Sequence, residues 1–153
     1  MKHILCYGDS NTHGYIPGGG RYDDDIRYTG ILAKLLGSDY RIIEEGLNSR
    51  TSSFDDPFEP YKNGMDCLVP CLDSHKPLDL TILMLGSNDM KIYFSPSVEK
   101  IAGSLAKVCQ TILMVSEAPI PTLQQVFRHL PLQFRMNLAV HLKKLQDNWT
   151  FHF

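Results

Sequence analysis

Three polar clusters, each directly behind a strand-like run and a glycine, hold the residues of this chain that could do chemistry. The first is Gly8-Asp9-Ser10-Asn11 after Ile4-Leu5-Cys6-Tyr7. The second is Gly46-Leu47-Asn48-Ser49 after Arg41-Ile42-Ile43-Glu44-Glu45, and the third is Gly86-Ser87-Asn88-Asp89 after Leu80-Thr81-Ile82-Leu83-Met84-Leu85. A serine hydroxyl becomes a useful nucleophile only with a base to take its proton and donors for the oxyanion that develops. Asn88 carries a side-chain amide that can donate, and backbone N–H groups at Ser10 and in the Asn48-Ser49 turn could add to it. Losing one such donor typically costs ~2.7–4 kcal/mol of transition-state stabilisation. Gly, Asp, Ser and Asn are also the commonest turn residues, so each cluster alone is an ordinary strand exit. Only their meeting in space would make a site.

The elements between the clusters predict that meeting. Residues 11–25 form a loop, because Gly14, Pro17 and Gly18-Gly19-Gly20 oppose regular structure. Within it Asp23-Asp24-Asp25 lacks the alternation and glycine of a calcium loop and reads as a solvated turn. Residues 27–36 read as a helix with Ile31, Leu32, Leu35 and Leu36 on one face and Gly37 as its stop. Residues 41–46 form a second short strand, and 47–64 a polar loop long enough to be functional. A helix follows over 65–74, with Pro70 limiting where it starts. Residues 80–86 are continuously apolar, as a parallel strand covered on both faces should be. Ser95-Pro96 predicts an N-cap opening a helix to about Val108, and 111–116 a fourth strand after a short connection. Helical patterns over 122–129 and 132–146 and a final strand over 149–153 complete the chain.

Strand and helix alternate throughout, which predicts an α/β fold: a parallel sheet of about five strands between helix layers. In the flavodoxin-like order 2-1-3-4-5, strands one and three are neighbours and the switch point lies between them. Ser10 and Asn88 then edge one crevice, with residues 46–49 on its other flank. A phosphate or nucleotide binder at the same place would need a glycine-rich turn opening a helix. Asn11-Thr12-His13-Gly14 is poor for that, and Gly18 to Gly20 lie far from a helix start.

The bulk properties narrow the classes further. A chain of 153 residues, 43% hydrophobic and 21% charged, fits one soluble domain. Its net charge of −2 gives no electrostatic footprint for nucleic acid or an anionic membrane. No run approaches the ~18 apolar residues of a transmembrane helix, and the opening residues are not those of a signal peptide. Cys6, Cys67, Cys71 and Cys109 read as buried free thiols in a reducing cytoplasm. Cys67 and Cys71 are one helical turn apart, but zinc would need further ligands.

The ordered set of motifs resembles the SGNH (GDSL-type) hydrolases, and within them the arylesterase and perhydrolase-like branch. The resemblance rests on Gly8-Asp9-Ser10-Asn11, Arg27-Tyr28-Thr29-Gly30, the stretch Ile43-Glu44-Glu45-Gly46-Leu47-Asn48-Ser49-Arg50-Thr51 and Asp55-Asp56-Pro57. Leu68-Val69-Pro70-Cys71-Leu72, Pro77-Leu78-Asp79-Leu80 and Met84-Leu85-Gly86-Ser87-Asn88-Asp89 extend it, so that it covers residues 1 to about 120. It implies a serine esterase acting on small acyl esters through an acyl-serine intermediate, with no metal or cofactor. It makes Ser10 the nucleophile, and it makes the Ser10 N–H, the Ser49 N–H and the Asn88 side chain the oxyanion donors.

One block of that family has no counterpart. Its acid and base form an Asp-x-x-His motif after the fifth strand, whereas here no Asp stands three residues before His3, His13, His75, His129, His141 or His152. The expectation is therefore a single SGNH-type domain, C-terminally incomplete. The alternative to an active esterase is an impaired family member serving for binding or oligomerisation. None of the six histidines is a strong substitute: His13 rims the expected crevice, and His75 ends a helix. Relatives of this kind often assemble, which the resemblance extends to a homo-oligomer here, with the 47–64 loop as candidate contact. A last strand with no helix after it would add a bare, pairing-prone sheet edge.

Overall fold

The computed structural model describes residues 1–116, all within one compact unit, Met1–Ile120. The first strand, β1 (Lys2–Gly8), is the centre of the sheet. It pairs in parallel with β2 (Tyr40–Gly46), from Lys2 opposite Tyr40 to Gly8 opposite Gly46. On its other side it pairs in parallel with β3 (Leu80–Met84), from Ile4 opposite Leu80 to Gly8 opposite Met84. The order β2-β1-β3 is the expected start of a flavodoxin-like sheet.

Burial on both faces explains why β1 is apolar without interruption: Ile4, Leu5, Cys6 and Tyr7 are all buried. Leu5 and Tyr7, with Ile43 of β2, face helix α3 (Leu68–His75) through Leu68 and Leu72 and helix α4 (Val98–Val115) through Val108 and Ile112. Each such side chain contributes roughly 1.5–3 kcal/mol on burial. Cys6, on the opposite face, meets Tyr28 at the start of helix α2 (Tyr28–Leu36), whose inward face also buries Leu32. Helices thus cover both faces of the sheet, giving three layers.

Pro70 is tolerated inside α3 because it falls in the first turn, where its N–H would have no helical partner. That helix starts three residues later than the 65 expected. A single helical turn, α1 (Ser10–His13), occupies the start of what reads from sequence as loop. The Asp23-Asp24-Asp25 run is exposed, and Asp24 pairs with Arg27 at 2.5 Å.

The fourth strand is a correction. Residues 111–115, expected as strand, are the last turn and a half of α4. Val108 and Ile112 are four apart and both reach the core, and Thr111 Oγ1 donates to the Lys107 carbonyl at 3.0 Å, as in a continuing helix. Apolar residues at this spacing satisfy a helix face as well as a strand, and burial of one face decides between them. The predicted short connection between helix and strand consequently does not exist. The cap of α4 also shifts, from Ser95 to Ser97, whose Oγ accepts from the Lys100 N–H at 3.3 Å. Among the described residues the sheet has three strands. The helices expected over 122–129 and 132–146 and the strand over 149–153 lie outside the described residues, as do His129, His141 and His152.

All four cysteines are free, but the expectation that they are buried holds only for Cys6. Cys71 is half-buried, and Cys67 and Cys109 are exposed. No helix among the described residues is long and apolar enough to cross a membrane.

Candidate active site

The three strands end level, and the clusters behind them are tied together by hydrogen bonds. Asp9 N–H donates to the Met84 carbonyl at 3.1 Å, and Leu47 N–H donates to the Gly8 carbonyl at 3.1 Å. The chain then turns at once into α1. Asp9 is the N-cap of that turn: its Oδ1 accepts from the Asn11 N–H at 2.9 Å and from Asn11 Nδ2 at 3.1 Å. Ser10 is the first residue of the turn and is half-buried. The close approach demands glycine at two strand ends. A Cβ on Gly8 would lie 2.0 Å from Thr12 Oγ1, and one on Gly46 would lie 2.2 Å from the His13 nitrogen.

The second cluster carries a strained residue. Ser49 has φ of 65°, a left-handed conformation that costs a non-glycine residue about 1–2 kcal/mol. The turn is closed by Arg50 N–H donating to the Leu47 carbonyl at 3.1 Å. Arg50 itself is buried, with its guanidinium 4.1 Å from the centre of the Tyr7 ring. Its Nη1 donates to the Gly8 carbonyl at 3.0 Å and also to the Glu45 carbonyl.

The third cluster closes the circuit. Asn88 lies in a 3-10 turn, Ser87–Met90, and its Nδ2 donates to the Arg50 carbonyl at 3.0 Å. Asp89 is fully buried and reaches away from Asn88: its Oδ1 accepts from the Ser52 N–H at 2.7 Å, and its Oδ2 accepts from Ser52 Oγ. Ser52 Oγ in turn meets Ser104 Oγ on α4. Burial pushes both aspartates above the ordinary carboxylate range. Hydrogen bonds from Asn11 and Ser87 oppose this at Asp9, and those from Ser52 oppose it at Asp89.

The structure therefore brings Ser10, the Ser49 turn and Asn88 to one end of the sheet, linked through Gly8 and Arg50. One N–H of the Asn88 amide is spent on Arg50, and the other has no acceptor among the described residues. The N–H groups of Ser10 and Ser49 have no acceptor among the described residues. Arg50 is the residue that reading the sequence missed. Its signal was weak: it is the one cation in residues 47–61, with no acid beside it until Asp55.

The described histidines have other engagements or none. His3 Nδ1 lies 3.0 Å from the Pro77 carbonyl at the opposite end of β1, and His75 Nε2 lies 3.0 Å from Glu45 Oε1. His13 shares the α1 turn with Ser10, and among the described residues no histidine is hydrogen-bonded to Ser10.

The 47–64 loop is fixed to the segment after Asn88. Lys91 Nζ and Tyr93 Oη each donate to Asp56 Oδ2 at 2.6 Å. Burial alone would raise Asp56, but Lys91, Tyr93 and the N–H groups of Phe58 and Glu59 outweigh it and hold the carboxyl well below its usual range. Phe54 packs on Phe94 and Phe58 on Tyr93, while Phe58, Tyr61 and Ile92 remain largely exposed.

Residues 6–145 match the GDSL-like Lipase/Acylhydrolase family. No curated protein sequence matches the chain. Among solved structures, the M. smegmatis aryl esterase is 42% identical, with a TM-score of 0.73, over 79% of this chain and 61% of its own. A carbohydrate acetylesterase from Sinorhizobium meliloti is 40% identical with a TM-score of 0.67, again over 79% and 61% of the two chains. A provisionally assigned arylesterase from Agrobacterium tumefaciens is 28% identical with a TM-score of 0.68, over 100% of this chain and 82% of its own. The match thus spans about three-fifths of the length of the first two esterases.

Proposed function

Because the chain belongs to the GDSL-like lipase/acylhydrolase family, we propose that it hydrolyses small acyl esters, with Ser10 as the nucleophile. In this reading Ser10 Oγ attacks the ester carbonyl, the alcohol leaves, and water releases the acyl group from the serine. The negative charge that develops on the carbonyl oxygen is met by the N–H groups of Ser10 and Ser49 and by the free N–H of the Asn88 amide. No step calls for a metal or cofactor.

One observation carries the reading: the buried guanidinium of Arg50 holds the end of β1 through Gly8 while the Arg50 main-chain carbonyl holds Asn88. The strained Ser49 lies between Leu47, whose N–H also donates to the Gly8 carbonyl, and Arg50, so its N–H is held before any substrate arrives. Donors that need no reorganisation are what oxyanion stabilisation requires.

A second reading rests on the histidines. None has the family's Asp-x-x spacing, and none of the described ones is hydrogen-bonded to Ser10. A serine without its base retains only residual catalysis, on the order of 10³–10⁴ over water. Such a chain would be an impaired family member acting as a binding or oligomerisation module. The exposed rings of Phe58 and Tyr61 on the 47–64 loop support that role.

Hydrolysis of an activated short-chain aryl ester, with Ser10→Ala as the comparison, separates the two. The esterase reading expects turnover that Ser10→Ala lowers at least roughly 10³-fold. Equal rates in the two proteins would leave the second reading standing.

A further inference from the structure

On the face of the sheet covered by α3, three side chains of different chemistry come together. Cys71 and His75 are four residues apart on α3 and therefore share a helix face. Glu45 is the last side chain of β2 before Gly46, and it opposes Tyr7 in the register, so it projects to the α3 side. The ligand atoms of Glu45, Cys71 and His75 all lie within 4.8 Å of one another, and all three residues are half-buried. We propose that Glu45, Cys71 and His75 form a binding site for a thiophilic divalent cation, Zn²⁺ in the first instance.

The donor set selects the ion. One thiolate, one imidazole and one carboxylate suit zinc and its borderline neighbours, whereas magnesium and calcium take oxygen ligands. With Zn–S near 2.3 Å and Zn–N and Zn–O near 2.0–2.2 Å, ligand atoms around a tetrahedral ion stand roughly 3.2–3.6 Å apart. Glu45 Oε1 and His75 Nε2 are already 3.0 Å apart. The sulfur therefore has at most about an ångström to close, which rotation of the Cys71 and His75 side chains can supply. Three protein ligands leave a fourth position to water. The sequence offered only half of this: the Cys67-Cys71 spacing was visible, but Cys67 lies outside the set, and the fold supplies His75 and Glu45 instead.

Coordination breaks little. The His75 contact is the only hydrogen bond of the Glu45 carboxylate among the described residues, and the ion would take its place. The thiol proton leaves to solvent as the metal enters, so two anionic ligands neutralise the dication. Arg50 is the nearby opposing charge. Its guanidinium is bonded to the carbonyl oxygens of Gly8 and Glu45, not to the Glu45 carboxylate, so the ion displaces none of its bonds. As a bare ion pair, a part-exposed His–Glu contact would stabilise little. The sulfur one turn away is what gives the cluster a use.

The test is titration of the full chain with Co²⁺, then displacement by Zn²⁺, in chelator-free buffer. The expected result is one saturable site, with a thiolate-to-cobalt charge-transfer band that Zn²⁺ removes. Cys71→Ser should abolish the band, and His75→Gln, which keeps bulk but loses the ring nitrogen, should weaken binding by more than roughly 10-fold. Cys109→Ser should change nothing. Zn²⁺ should raise the thermal midpoint of the wild type and of Cys109→Ser, but not that of Cys71→Ser. The proposal is overturned if the wild type shows no saturable site. It is equally overturned if the band survives in Cys71→Ser, or if His75→Gln binds as tightly as the wild type.

Discussion

The exits of β1 and β3 are written in nearly the same residues, Gly8-Asp9-Ser10 and Gly86-Ser87-Asn88-Asp89, and the fold uses them differently. Both glycines are needed, for unlike reasons. Gly8 is crowded, with its missing Cβ facing Thr12 Oγ1 and the Met84 carbonyl. Gly86 has room, its nearest neighbour being Leu105 Cδ1 at 3.5 Å, but its φ of 119° excludes most side chains. Both aspartates are fully buried. Asp9 Oδ1 caps its own turn, on Asn11, whereas both oxygens of Asp89 reach 37 residues back to Ser52. One exit has its aspartate capping its own turn and presents Ser10; at the other the aspartate is a long-range clamp that fixes the 47–64 loop, while Asn88 faces Arg50.

The largest expected effect is at Gly8. A Cβ there would sit 2.7 Å from a strand carbonyl that cannot move without breaking the β1–β3 ladder, so Gly8→Ala should cost about 3 kcal/mol or more. Asp89→Ala should follow closely. It removes two hydrogen bonds from a carboxylate and leaves the Ser52 N–H buried without an acceptor, about 3 kcal/mol in all. Gly86→Ala meets only backbone strain and should cost about 1–2 kcal/mol. Urea midpoints at unchanged m would rank the three. Equal losses at Gly8 and Gly86 would mean that the β1 exit relaxes around the added methyl, and the contrast would collapse.

The ladder β2-β1-β3 and the placement of Ser10 and Asn88 at its end were legible because a parallel strand buried on both faces leaves an unbroken apolar run. A short run of that kind, closed at once by glycine and small polar residues, fits a covered strand and little else. Residues 111–116 were misread for the same physical reason. Thr-Ile-Leu-Met-Val is apolar enough for either element, and only Val108 and Ile112 meeting the same core face shows that the helix continues. The roles of Arg50, Asp89 and the Glu45–Cys71–His75 group were hidden for a different reason. Each depends on a long-range contact, Arg50 to Gly8, Asp89 to Ser52 or His75 to Glu45, between residues 30 to 42 apart in sequence and set by strand register and helix placement.

The smallest effect tests whether the two exits share electrostatics. Burial raises the Asp9 carboxyl above its unfolded value of ~3.9, so the native state binds a proton more tightly than the unfolded chain does. A contribution of that sign is fully present below the unfolded value and is lost as pH rises through the higher native one. Asp9→Asn removes the titration while keeping an oxygen to cap Asn11. The stability of the wild type relative to Asp9→Asn should therefore be greatest in acid, fall as pH rises above ~4, and level off above the native value. Asp56 should do the reverse, because Lys91 and Tyr93 hold its carboxyl low: its contribution stands above ~3.9 and is lost as pH falls. Urea unfolding of wild type, Asp9→Asn and Asp56→Asn across the acid range would show two slopes of opposite sign. A flat difference for Asp9→Asn would mean that Asn11 and Ser87 fully offset the burial of Asp9, leaving Asp89 as the only exit aspartate held above the ordinary range.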